Sequence, residues 1–136
     1  MDISELIYKI NDLRSEGYCC SQIVVKMLAE DCYYINDEIL IQAMSALGYG
    51  LHSKKTCGVL TGCACALAVC NEEKAYNKLL VKELVYWFEN EFGSCDCNTI
   101  LDGKIQDAEL CTEIVAKSVN KCMVILQEME SGIVSK

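Results

Sequence analysis

The stretch that decides the fold is Thr56–Cys70, TCGVLTGCACALAVC, in which every side chain is small or apolar. A helix that is apolar on all sides has to sit at the centre of a molecule. Gly58, Gly62 and Ala66 recur every fourth residue, so one face of that helix carries only small side chains. Each interior glycine costs roughly 1 kcal/mol in helix propensity. The bare face therefore predicts close approach by a neighbouring backbone or by a cofactor.

Working outward, helical periodicity continues on both sides. Ile3, Leu6, Ile7, Ile10 and Leu13 follow i, i+3, i+4, i+7 spacing, with Asp2 or Ser4 as the cap and Gly17 as the stop. A second helix is expected from about Cys20 to Cys32, burying Ile23, Val24, Met27 and Leu28. Asn36 caps a third, with Ile39, Leu40, Ala43, Met44 and Leu47 as its apolar stripe, and Gly48–Ser53 reads as a loop. Beyond the central helix, one is expected from about Glu72 to Asn90, with Ala75, Leu79, Leu80, Leu84, Val85, Trp87 and Phe88 apolar. Gly93–Asp102 reads as a turn holding at most one helical turn. The last helix runs from about Gln106 to Glu130 and buries Cys111, Val115, Val119, Cys122, Leu126 and Met129. No strand-like alternation is present. The expectation is an all-α, compact bundle of five to six helices around a central small-residue helix at about 56–70, forming a single domain over 1–136.

Composition removes several function classes. The 12 Lys and Arg against 20 Asp and Glu leave a net charge of −8, which argues against a nucleic-acid surface. No apolar run reaches the roughly 18 residues that a membrane span needs. The opening, MDISELIYKINDLRSEG, is amphipathic and mixed in charge rather than basic and then apolar, so a cytoplasmic protein is expected. Apolar residues make up 52% of the chain, enough for a core and for a homodimer. No Ser-His-Asp arrangement, phosphate-binding glycine loop or carboxylate pair is in evidence.

The chain has 11 cysteines, an odd number that rules out complete intramolecular pairing. In a reducing compartment such a chain points to metal binding or catalysis rather than stapling. Cys63 and Cys70 share a helix face but lie about 10 Å apart at the helical rise, too far for a disulfide. Cys63 and Cys65 point about 200° apart. Cys111 and Cys122 lie about 16 Å apart. Cys63, Cys65, Cys70 and Cys122 are therefore read as packing residues. Cys19, Cys20, Cys57, Cys95, Cys97 and Cys111 stand at helix starts or in turns, where free N–H groups stabilise a thiolate. His52, Lys54 and Lys55 precede Cys57 and are read as a solvated loop. There is no C-x-x-C, so neither a thioredoxin-type dithiol nor a zinc ribbon is supported.

Four motifs then occur in order: GYCCSQ (Gly17–Gln22), CGVLTG (Cys57–Gly62), FGSCDC (Phe92–Cys97) and CTEIV (Cys111–Val115). Together they resemble the C-GCAxxG-C-C family of small redox-active proteins, from about Leu13 to Cys122. The resemblance implies that Cys20, Cys57, Cys97 and Cys111 are the functional cysteines. Val59 stands where the family signature has Ala, which narrows the site beside Cys57, and Cys19 and Cys95 are extra neighbours of family positions. The expected activity is thiol-based redox chemistry, by dithiol–disulfide cycling or electron transfer with an unidentified redox partner. The alternative is a metal centre, zinc or an iron–sulfur cluster, held by the same Cys20, Cys57, Cys97 and Cys111. A third reading is a structural helical protein with incidental cysteines.

Overall fold

Helix α4 (Gly58–Cys70) occupies the middle of the molecule, and none of its residues is exposed. The computed structural model describes residues 2–29, 38–70, 74–102 and 108–130. Around α4 pack α2 (Cys20–Ala29), α5 (Lys74–Phe92) and α7 (Ala108–Glu130). Helix α1 (Ile3–Ser15) lies on α2 and α7, α3 (Glu38–Met44) lies on α2, and α6 (Cys97–Ile100) is a single turn. Among the described residues no strand occurs, and the fold is all-α as expected. Among the described residues the six longer helices match the upper expectation, with α6 added as the single turn between 93 and 102. The cap at Asn36, the helix end at Cys32 and the starts at Glu72 and Gln106 lie outside the described residues, as do the side chains of Ala75 and Met129. Among the described residues no helix is long and apolar enough to cross a membrane.

The small-residue face of α4 is occupied by the backbone of α2. A Cβ added at Gly62 would lie 3.0 Å from the Ser21 carbonyl oxygen and 3.2 Å from its Cα. Of the two partners expected there, backbone or cofactor, the structure supplies the backbone. Among the described side chains of α5 the buried ones are Leu80, Leu84 and Phe88, spaced by four. Each such side chain contributes about 1.5–3 kcal/mol by leaving water. Phe92 packs edge-on against Phe88 and Trp87 at 4.7 and 5.6 Å.

Three stripe assignments are corrected. Leu79 is exposed because it stands one residue, about 100°, off the Leu80–Leu84–Phe88 line. Ile39 and Ala43 are exposed, and Ile41 is buried with Met44. Side chains of α2 set that register: the Gln22 amide donates to the Ile41 carbonyl at 3.1 Å and the Ser21 hydroxyl to the Met44 carbonyl at 2.6 Å. On α1, Ile3 and Ile7 are exposed, and only Leu6 and Ile10 of the expected stripe are fully buried.

Candidate functional site

The GYCCSQ segment enters the site through a helix stop. Asp2 caps α1, accepting from the Glu5 N–H at 2.9 Å. At the other end Gly17 (φ +99°) takes the left-handed conformation that a side chain would resist. The Gly17 N–H donates to the Arg14 carbonyl at 3.0 Å and the Tyr18 N–H to the Leu13 carbonyl at 3.3 Å, the bond pair of a Schellman end. The chain then starts α2 at once. Cys19 is its cap residue: its carbonyl accepts from Ile23 at 2.9 Å, and its N–H donates to the Gln22 side chain at 3.1 Å. Cys20, the first helical residue, is thereby fixed against α4. A Cβ at Gly58 would lie 3.1 Å from the Cys20 sulfur and 2.6 Å from the Leu47 carbonyl oxygen.

Cys57 and Cys97 are joined through the backbone. Thr56 and Asp96 form an isolated antiparallel bridge. The Cys57 N–H donates to the Cys95 carbonyl at 2.8 Å, and the Cys97 N–H to the Lys55 carbonyl at 2.6 Å. Each cysteine then opens a helix. The Cys57 carbonyl accepts from Thr61 at 3.2 Å at the head of α4. Asp96 caps α6, accepting from the Thr99 N–H at 3.0 Å, so Cys97 is the first residue of that turn. Cys111 stands in the first turns of α7 and is half-buried.

Cys20, Cys57, Cys97 and Cys111 all line one cavity of about 300 Å³. Cys19 lines it too, whereas Cys95 does not. Cys57 and Cys97 are buried, and Cys20 and Cys111 are half-buried. The thiols of Cys20, Cys57 and Cys97 lie close enough that the charge on one would act on the other two.

Cys20, Cys57 and Cys97 are not acidified as their helix-start positions predict. Burial pushes Cys57 up to about 12, although the Val59 and Leu60 amides bond its sulfur and oppose the shift. Burial likewise raises Cys20, against the Tyr49 amide and the Arg14 charge. It raises Cys97, with Cys20 and Asp96 adding to the rise and Lys54 opposing it. The helix-terminal N–H groups do act on the Cys57 sulfur, but losing water from around a thiolate outweighs them.

The loop before Cys57 is more structured than its glycines indicate. Tyr49, Gly50, Leu51 and His52 all have φ between 52° and 60°, one turn in the left-handed region. That region costs roughly 1–2 kcal/mol for each residue with a side chain. The turn brings Tyr49 and His52 to the cavity wall. His52 is exposed, and its Nε2 donates to the Ser45 carbonyl at 2.8 Å. Arg14, Tyr18 and Tyr49 are wall residues absent from the sequence-based candidates. The one available signal was that Arg14 is the only arginine in the chain. Val59 also reaches the wall, beside Cys57 as expected.

The remaining cysteines divide differently from expectation at one position. Cys63 and Cys122 are fully buried and hydrogen-bonded to each other, and Cys65 is half-buried, in keeping with packing. Cys70, also read as packing, is instead disulfide-bonded. The Cys63–Cys70 exclusion stands, because Cys63 is a free thiol.

Among the described residues no group of three or more His, Cys, Asp or Glu side chains is arranged to hold a metal ion. The four cysteines thus share a cavity wall without forming a coordination shell. No curated protein and no solved structure matches the chain. The family model described as "Putative redox-active protein (C_GCAxxG_C_C)" matches residues 18–125, a span that includes Cys20, Cys57, Cys97 and Cys111. The chain belongs to that family.

Proposed function

We propose that this is a thiol-based redox protein whose reacting sulfurs are Cys20, Cys57, Cys97 and Cys111, with Cys57 at the centre and Cys20 its first disulfide partner. The observation that carries this reading is that cysteines from four separate segments line one cavity. Cys20 is preferred as the partner because its sulfur rests against Gly58, the residue that follows Cys57. In the forward step the two thiols give two electrons and two protons to a small disulfide. The products are one protein disulfide and two small thiols.

The raised thiol pKa values make the reduced state a poor nucleophile at neutral pH, because the thiolate is the attacking form. Reaction therefore depends on bringing the disulfide into the cavity and holding it there. Such a protein works as an oxidoreductase or as an electron carrier.

The reading is tested by anaerobic purification, metal analysis and a thiol count before and after one equivalent of 2-hydroxyethyl disulfide. Metal-free, colourless protein that loses two thiols per equivalent supports it. Stoichiometric zinc or iron that protects the four cysteines from the reagent would replace it with the metal-centre reading.

A further inference from the structure

The turn before Cys57 rests with its backbone on the cysteines of the cavity. Gly48, Tyr49 and Gly50 each meet a different one. A Cβ at Gly48 would lie 2.7 Å from the Cys19 sulfur, and one at Gly50 would lie 2.9 Å from the Cys97 Cβ. Between them the Tyr49 N–H donates to the Cys20 sulfur. At Gly58 a Cβ would meet the Cys20 sulfur at 3.1 Å and the Gly48 Cα at 3.2 Å, so turn and sulfur share one contact point on α4.

The same turn is strained. Tyr49, Leu51, His52 and Lys54 carry side chains at φ between 52° and 60°. A backbone in that region keeps its shape only while its surroundings hold it there. Two holds lie within the turn and its approach: the Lys55 N–H donates to the Gly50 carbonyl at 2.9 Å, and His52 to the Ser45 carbonyl at 2.8 Å. At the far end the Cys97 N–H donates to the Lys55 carbonyl at 2.6 Å. The bond from Tyr49 differs from these, because it ends on a sulfur that changes chemically when Cys20 is oxidised.

We infer that the Gly48–Lys55 turn is a redox-sensitive device, closed while Cys20 is a thiol and open when Cys20 joins Cys57 in a disulfide. The inference rests on the redox reading above and adds a conformational consequence to it. Cys20 and Cys57 together give two electrons and two protons to a small disulfide R–S–S–R. Their S–S bond forms, that of the reagent breaks, and both protons end on the two released R–SH. The new bond turns the Cys20 sulfur toward Cys57 and away from the Tyr49 N–H. That N–H must then find water, and the left-handed backbone loses one of its holds. Leu51, His52 and Ser53 are exposed, so opening of the turn presents the state of the cavity at the surface.

The test reads trypsin cleavage after Lys54 and Lys55, since cleavage of a native protein reports local opening. The full chain is compared fully reduced and after oxidation by 2-hydroxyethyl disulfide, both freed of small thiols, with the products followed by mass spectrometry. The oxidised protein should be cut in the turn about tenfold faster, because cleavage tracks the population of the open form. Cleavage after Lys117 and Lys121 in α7 should not change. Cys20→Ser, treated in the same way and checked for folding by circular dichroism, should keep the slow rate of the reduced protein. Gly50→Ala would set a Cβ 2.5 Å from the Lys55 backbone nitrogen, so it should be cut fast even when reduced. A slow rate in reduced Gly50→Ala, or opening on oxidation of Cys20→Ser, overturns the inference. If oxidation joins Cys20 to Cys57 and the turn stays closed, only this inference falls. If no cysteine of the cavity is oxidised, the redox reading falls with it.

Discussion

Two hydrogen bonds distinguish the members of the cysteine doublets. The Ser21 hydroxyl has one proton, and it is given to the Met44 carbonyl. In the 3.3 Å contact between Cys19 and Ser21 the thiol must therefore be the donor. Cys95 in the same way donates to the Glu89 carboxylate at 3.4 Å. Burial, together with that carboxylate, raises the Cys95 pKa to about 11. Cys95 is thus held as a thiol by its neighbour, while Cys20 and Cys97 lie close enough to Cys57 for their charges to act on it. Replacing Glu89 by Gln removes the charge that disfavours the Cys95 thiolate. Alkylation of Cys95 at pH 8, followed by mass spectrometry, should speed up about tenfold for each unit its pKa falls. Labelling of Cys57 in the same samples should stay slow and climb with pH beyond 9. Equal Cys95 labelling in both proteins would mean that Glu89 does not govern it.

At the scale of elements, the site depends on how closely α2 approaches α4. Alanine at Gly58 would set a Cβ 2.6 Å from a backbone oxygen and 3.1 Å from the Cys20 sulfur, so the chain would have to shift. Gly58→Ala should cost about 1–3 kcal/mol in denaturant melts, the usual range for overpacking, and should slow disulfide formation at Cys20. Unchanged stability with unchanged oxidation would show that the helices are free to separate there. The bare face at Gly58, Gly62 and Ala66 was legible in the sequence, because four-residue spacing is a property of one helix. The helix starts at Cys20 and Cys57 were legible for the same reason. The register of α3 was not, since Ile41 rather than Ile39 is buried through bonds from Ser21 and Gln22 on another helix. Nor was the place of Arg14, whose helix gives no sign that its last turn meets a cavity lined by α4, α6 and α7. The direction of the thiol shifts was misjudged because a helix end is a local feature, whereas loss of water depends on the whole fold.

For the whole molecule, the arrangement gathers sulfurs from positions 20, 57, 97 and 111 by three local devices. These are the Schellman end at Gly17, the Thr56–Asp96 bridge and the start of α7. The first two are made of backbone hydrogen bonds inside the family-matched span or immediately before it. The most direct test of the central claim is disulfide mapping. Fully reduced protein is treated with one equivalent of 2-hydroxyethyl disulfide, blocked with an alkylating reagent, digested and read by mass spectrometry. The account predicts a peptide pair joining Cys20 to Cys57, lost in both Cys20→Ser and Cys57→Ser, with Cys63 and Cys122 unmodified until the protein is unfolded. Cross-links that avoid Cys20, Cys57, Cys97 and Cys111, or no cross-link at all in folded protein, would contradict it.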